Sequence, residues 1–116
     1  MQRGEIWWAS LPEPLASEPG YRRPVLIVQN DAFNRSRIAT VVVVALTTNV
    51  DLGAAPGNVR LTRRQSGLPK DSVANVSQIF TYDRRFLTDR VGRLSAPKML
   101  EIDHGLQLVL GLPQRL

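Results

Sequence analysis

Short apolar stretches alternate along the chain with polar segments that carry glycine or proline. This pattern predicts β-strands joined by turns and loops. We expect strands at Gly4–Ala9, Val25–Val28, Ile38–Leu46, Asn58–Leu61, Ser72–Ser77 followed by Gln78–Asp83, and Thr88–Leu94. The third of these is β-branched and almost wholly apolar, which is typical of a buried central strand.

The segments between the strands are rich in turn and capping residues. Leu11–Tyr21, Asp51–Gly57 and the basic segment Thr62–Pro69 are interpreted as loops, and single helical turns are expected at Asp31–Phe33 and Asp83–Phe86. These connections are short, apart from the first.

The last part of the chain changes to helical spacing. Ser95 is a suitable N-cap, Pro97 lies in the first turn, and apolar residues then recur three or four positions apart up to Leu110. The residues that recur at this spacing are Met99, Ile102, Leu106, Val109 and Leu110. The sequence therefore predicts a mainly β, antiparallel domain closed by one amphipathic C-terminal helix.

Length and composition narrow the possible chemistry. With 116 residues, the chain is expected to form a single domain, residues 1–116. It contains no cysteine and one histidine, His104, and its carboxylates form no D-x-D or D-x-x-E cluster. We therefore expect no metal site and no cofactor.

The charge is strongly positive. The formal net charge is +5, the sequence pI is about 10.7, and thirteen of the fifteen basic residues are arginine. Arginine suits phosphate geometry, although the bias is also compatible with an ordinary basic surface. No apolar run is long enough to span a bilayer and no signal peptide is evident, so we expect a cytoplasmic protein without membrane contact.

Two strand ends carry the most specific candidate residues. Arg22 and Arg23 stand between a Gly/Pro-bearing loop and the strand that Pro24 opens, while Thr47 and Thr48 end the long apolar strand. If these strands are antiparallel neighbours, Arg23 and Thr47 lie at the same sheet edge and form an anion pocket.

Other polar and aromatic residues are candidates for contacts with nucleic acid. Glu18 lies in the loop before the arginines and is interpreted as a proton acceptor or a contact to a base. The candidate RNA-binding residues are Arg22, Thr48, Asn30, Phe33, Asn34, Arg63, Arg64, Gln78 and Tyr82.

The order of several motifs resembles the MazF/PemK (Kid) family of toxin ribonucleases. The matching pieces run from Arg3-Gly4-Glu5-Ile6-Trp7 through Glu18, Arg23-Pro24 and Asn30–Asn34 to Ala45-Leu46-Thr47, Asp71-Ser72-Val73, Gln78-Ile79 and Leu87-Thr88-Asp89. By motif position, the family's catalytic arginine, threonine and loop glutamate fall on Arg23, Thr47 and Glu18. Pro19 departs from the polar residue that is common after this glutamate, and the doubled threonine leaves Thr47 and Thr48 as alternatives.

The resemblance implies an SH3-like antiparallel barrel with short helices, a homodimer, and inhibition by a cognate antitoxin with an acidic flexible segment. It also implies metal-independent, sequence-specific cleavage of single-stranded RNA at short sequences. In this reaction the ribose 2′-hydroxyl attacks the adjacent phosphorus and leaves 2′,3′-cyclic phosphate and 5′-hydroxyl ends. The general base stays open between Glu18 and solvent. Two alternatives are a gyrase-poisoning toxin of the CcdB type and an SH3-like module that binds RNA without cutting it.

Overall fold

A computed structural model of the chain describes residues 1–12 and 22–113. Within these ranges, the strands are β1 (Glu5–Ser10), β2 (Arg22–Ile27), β3 (Thr40–Thr47), β4 (Val59–Leu61), β5 (Ser72–Asp83) and β6 (Leu87–Arg93). The helices are α1 (Asp31–Asn34), α2 (Arg63–Ser66) and α3 (Ala96–Leu110), with 3₁₀ turns at Val50–Ala54 and Arg84–Phe86. The mainly β fold with a C-terminal helix is confirmed.

The six strands form one antiparallel sheet that curls into a half-barrel. Their order is β4-β5-β3-β2-β1-β6, so the apolar strands β2 and β3 lie in the middle. One face of the sheet packs around Ile6, Leu26, Val44 and Ile102 of α3. The opposite face packs around a second cluster that includes Val25 and Val43. Because successive strand residues point to opposite faces, β1, β2 and β3 each contribute to both cores.

Strand β5 contains a break in pairing that matters for the site. Ile79 pairs with Val44, but the next residue of β3, Ala45, pairs with Asn75. Residues 76–78 are therefore extra on β5 and form a bulge. A bulge with an odd number of extra residues changes which positions point to a given face, so the even-numbered residues after it share a face with the odd-numbered residues before it.

Helix α2 corrects the prediction of a loop over Thr62–Pro69. The Thr62 hydroxyl accepts a hydrogen bond from the Gln65 N–H (3.2 Å), and the Gln65 side chain accepts one from the Thr62 N–H (2.9 Å). This reciprocal capping box starts the helix, and Gly67 ends it with a φ of 80°, which favours glycine.

Helix α3 ends where its apolar pattern ends, but its last turn is not buried. Ser95 caps its start, and Gly111, with a φ of 66°, caps its end. Ile102 is fully buried. Val109 and Leu110, the last two residues of the apolar pattern, are exposed. Their neighbour Leu108 is 61% exposed, and the end of α3 is therefore an apolar surface.

Candidate active site

Arg23 and Thr47 lie at the same edge of the sheet. The β2–β3 pairing joins Val25 to Ala45 and Ile27 to Val43, and continuing this register by two residues places Arg23 opposite Thr47. Residues that are directly opposite in an antiparallel pair point to the same face. The two candidate catalytic side chains thus come from positions 24 residues apart in sequence but share one strand end and one face.

An aromatic ring lies beneath the Arg23 guanidinium. The Arg23 Cζ is 5.5 Å from the centroid of the Phe80 ring, and the Phe80 ring stacks on Tyr82 with centroids 5.6 Å apart and planes 7° apart. Both rings are half-buried. The flat guanidinium is held against an aromatic face, which suits cation–π attraction.

Thr47 and Thr48 point to different sides of the sheet. The half-buried Thr47 accepts a hydrogen bond at Oγ1 from the Asn49 N–H (3.1 Å). Exposed Thr48 lines a cleft together with Trp8 and Pro24, which pair with each other across β1 and β2. Because Arg23 precedes Pro24 in an extended strand, this cleft is on the face opposite to Arg23.

Arg22 also belongs to that opposite face. Its Cζ lies 4.3 Å from the centroid of the Trp8 ring, and its Nη2 donates to Asp89 Oδ2 at 3.1 Å. The hydrogen bonds from Arg22 and Thr88 lower the pKa of the Asp89 carboxyl. The neighbouring arginines therefore have different surroundings, as strand alternation requires.

Helix α1 holds three other candidates at the far end of β3. Thr40 pairs with Asp83 there, and Arg84 donates to the carbonyl oxygens of Phe33 and Asn34 (2.9 Å each). The seven steps from Thr40 to Thr47 span roughly 24 Å at the usual rise of a strand. Within one chain, the structure does not bring α1 to the Arg23–Thr47 pair.

The α1 residues differ in what they present to solvent. Asn30 caps the helix by accepting from the Ala32 N–H (2.8 Å). Asn34 is buried, and it exchanges hydrogen bonds with Gln29 through both its amide oxygen and its amide nitrogen (2.9 Å each). Phe33 is 56% exposed. Of the three, Phe33 presents the largest exposed surface suitable for stacking.

The remaining candidates lie on helix α2, in the β5 bulge and outside the described residues. Arg63 and Arg64 are exposed on α2 beside Lys70 and line a depression of about 550 Å³. Gln78 is exposed in the β5 bulge. Glu18 lies outside the described residues.

Asn75 is a polar residue near the site that the sequence analysis missed. It pairs with Ala45, which in turn pairs with Val25, so Asn75 points to the same face as Arg23. Its Oδ1 accepts from Ser77 at 2.9 Å. The sequence offers no signal for this placement, because it depends on the strand order and on the register of β5.

Residues 1–12 and 22–113 contain no cluster of three or more His, Asp or Glu side chains that could hold a metal ion. Nor do they contain a helix that is long and apolar enough to cross a membrane.

Comparison with known proteins assigns the chain to a family. The model of a family described as PemK-like, MazF-like toxin of type II toxin–antitoxin system matches residues 2–110. Endoribonuclease MazF6 of Mycobacterium tuberculosis is 49% identical over 112 residues, covering 97% of this chain and 98% of the relative. Endoribonuclease EndoA of Bacillus subtilis is 36% identical over 112 residues, covering 97% and 96%.

A solved structure with a similar fold is also described as an endoribonuclease. It is described as an endoribonuclease in complex with its cognate antitoxin from a mycobacterial species. It matches with a TM-score of 0.78 and 30% identity over 99% of both chains. The chain therefore belongs to the PemK-like, MazF-like toxins of type II toxin–antitoxin systems and is an endoribonuclease of that family.

Proposed function

We propose that the chain cuts single-stranded RNA with Arg23 and Thr47 as the groups that contact the scissile phosphate. The observation that carries this proposal is the β2–β3 register, which supports placing both side chains on one face at one sheet edge. A guanidinium offers paired N–H donors in a plane, and a threonine hydroxyl adds one further donor. Together they suit the non-bridging oxygens of a phosphodiester.

The proposed reaction uses the substrate's own nucleophile. The ribose 2′-oxygen forms a bond to the adjacent phosphorus, and the bond from phosphorus to the 5′-oxygen of the next nucleotide breaks. The products carry a 2′,3′-cyclic phosphate and a 5′-hydroxyl. One proton leaves the 2′-hydroxyl for Glu18 or solvent, and one proton is delivered to the departing 5′-oxygen. The protein's main contribution is to stabilise charge on the phosphorane and to hold the chain in line.

The bases and backbone of the RNA are proposed to contact the other candidates. Arg22, Arg63 and Arg64 supply positive charge for the backbone. Thr48, Asn30 and Gln78 are proposed to bind polar edges, and Phe33 and Tyr82 to stack on unpaired bases. Asn34, a candidate from the sequence, is buried and its amide is engaged with Gln29, so its role is to hold α1 rather than to contact RNA. The stacking role of Phe33 is supported by its exposure. The stacking role of Tyr82 is supported by its contact with the Phe80 ring, which in turn contacts Arg23.

We also propose that the chain acts in the cytoplasm as a homodimer of single 1–116 domains and is inhibited by a cognate antitoxin. The exposed Leu108 and Leu110 at the end of α3 support a surface that another chain covers. The net charge of +5 supports an antitoxin with an acidic, flexible segment. The mycobacterial complex with a cognate antitoxin is consistent with this arrangement.

The decisive experiment is incubation of the purified protein with a long, poorly structured RNA in EDTA, followed by mapping of the cut ends. We expect discrete cuts with 5′-hydroxyl ends, and no cuts from Arg23→Ala. Arg37→Ala is the matched control, because it removes one exposed arginine just before β3, at the end of that strand away from Thr47.

Two outcomes would contradict the proposal. Cleavage of an all-deoxy copy of a good substrate would exclude attack by a 2′-hydroxyl. Two unrelated RNAs that both stay intact in EDTA would exclude metal-independent cleavage of general single-stranded RNA.

A further inference from the structure

The face of β2 opposite to Arg23 carries a second concave surface. It is a cleft of about 280 Å³ whose lining includes Trp8, Pro24, Thr48, Leu68 and Lys70. The side chain of Arg22 stacks over the Trp8 ring at 4.3 Å. The cleft is therefore built by β1, β2, the end of β3 and the segment after α2.

The lining of this cleft has the chemistry of a site for a flat, mainly apolar group with polar edges. Trp8, Pro24 and Leu68 provide apolar walls. The exposed Thr48 hydroxyl and the Lys70 ammonium provide hydrogen-bonding groups at the rim. Unpaired nucleobases are recognised in this way, by packing against aromatic or apolar surfaces and by hydrogen bonds to their edges.

The surroundings of the cleft favour an anionic chain. Lys70 also lines the neighbouring depression of about 550 Å³, where Arg63 and Arg64 stand. The carboxylate in that depression, Asp71, accepts a hydrogen bond from the Arg63 N–H (2.9 Å), so it is already occupied in holding α2. Three cations beside one carboxylate suit the phosphates that flank a bound base.

The position of the cleft connects it to the proposed catalytic pair. Pro24 directly follows Arg23, and Thr48 directly follows Thr47, so each wall residue is one position from a catalytic residue and on the opposite face. A single strand of RNA that crosses this sheet edge would place its scissile phosphate at Arg23 and a nearby base in the cleft.

We propose that the cleft between Trp8 and Lys70 is a base-binding subsite that sets the nucleotide preference at one position beside the cut. This inference rests on the proposed function, because the base it binds belongs to the RNA that is cut. Thr48 and Lys70 are the residues that read the edge of the base, and Trp8, Pro24 and Leu68 form the apolar wall against which it packs.

The test is sequencing of the cut sites that each variant makes in a pool of RNAs of random sequence. Thr48→Val removes a hydroxyl at nearly constant shape, and Lys70→Met removes a charge at similar length. Each is expected to weaken the preference at one position beside the cut by about threefold to tenfold, as for one lost hydrogen bond. Arg37→Ala should keep the wild-type preference. Far-UV circular dichroism checks that the variants are folded.

The outcomes separate the two proposals. If the wild type leaves the pool intact, the proposed function fails, and this inference fails with it. If the wild type and both variants cut with the same preference, this inference alone is overturned. If the variants keep their preference but resist inhibition by an acidic peptide, the cleft serves a protein partner, which would also overturn it.

Discussion

The guanidinium of Arg23 lies over the ring of Phe80, with 5.5 Å between Cζ and the ring centroid. Phe80 lies on β5, two strands away from the β2 strand of Arg23. It pairs with Val43 of β3, which places its ring on the face to which Arg23 points. The Tyr82 ring stacks on the Phe80 ring, with centroids 5.6 Å apart. Phe80 is therefore a positioning residue, which orients the plane of the guanidinium.

Replacing Phe80 tests this role. We expect Phe80→Leu to lower kcat by roughly threefold to tenfold with little change in KM, because cation–π contacts are worth about 0.5–2 kcal/mol. Phe80→Tyr keeps the aromatic face and should restore the rate. Steady-state cleavage of a short RNA substrate measures both constants. An equal loss in Phe80→Leu and Phe80→Tyr would indicate that packing alone is responsible.

Thr47 and Thr48 can be separated by the same substitution at each position. Thr47→Val removes a donor at the proposed phosphate site, and we expect kcat to fall by about 10²- to 10³-fold. Thr48→Val should affect nucleotide preference instead. Single-turnover cleavage at saturating enzyme measures the chemical step. A larger loss of this rate in Thr48→Val would reverse the assignment of the two residues.

The stability of the fold should depend on pH through Glu5. Burial of this carboxyl raises its pKa, but hydrogen bonds from the Gln2 N–H (2.8 Å), Arg90 (2.7 Å) and Trp7 (3.1 Å) outweigh burial and bring the pKa below its ordinary value of 4.5. A carboxyl whose pKa is lower in the folded state stabilises the protein at pH values above its pKa in the unfolded chain. This contribution is lost as the pH falls through its pKa in the folded protein.

Glu5→Gln should therefore lower the Tm at pH 7, and the difference from wild type should shrink as the pH falls below about 4.5. Thermal unfolding followed by circular dichroism over this pH range measures the effect. Arg37→Gln is a suitable control, because Arg37 is an exposed arginine in the segment before β3 and takes no part in the hydrogen bonds of Glu5. A Tm difference that stays constant down to pH 3 would show that the ionised form of Glu5 makes no special contribution.

The packing of α3 depends on the absence of a side chain at Gly105. A Cβ placed there would collide with the carbonyl oxygen of Gly57, whose own φ of 84° is suited to glycine. Backbone cannot yield as a flexible side chain can, so we expect Gly105→Ala to lower the free energy of unfolding by about 1–3 kcal/mol. Urea unfolding measures this change.

His104→Ala provides the comparison for Gly105→Ala. His104 is the preceding residue of the same helix and is exposed, so its replacement should change the free energy of unfolding by less than about 0.5 kcal/mol. Equal effects of the two substitutions would mean that the contact with Gly57 is not what limits residue 105.

Local sequence determines much of the secondary structure of this protein. The β-branched run before Thr47 forms the central strand, and Ser95, Pro97 and Gly111 bound the C-terminal helix, because strand preference and helix capping act over a few residues. Helix α2 also has a local signal, the spacing of Thr62 and Gln65, which the sequence analysis did not use.

The placement of Arg23 opposite Thr47 depends partly on local sequence and partly on tertiary structure. The sequence places each residue at the end of an apolar strand and predicts a shared edge if those strands are neighbours. The sheet order makes β2 and β3 adjacent, and their register, continued by two residues beyond Val25 and Ala45, places Arg23 opposite Thr47. The sequence alone could not choose between Thr47 and Thr48, because both follow the same apolar run.

The aromatic support of Arg23 and the second cleft were decided only by the tertiary structure. Residues 76–78 are extra on β5, and this odd insertion turns Phe80 and Tyr82 to the face of Arg23 together with Asn75. The cleft joins Trp8 to Lys70 across more than half of the chain. Register and strand order arise from packing between distant segments. Hydrophobic periodicity indicates only which residues of one segment lie on each of its two faces.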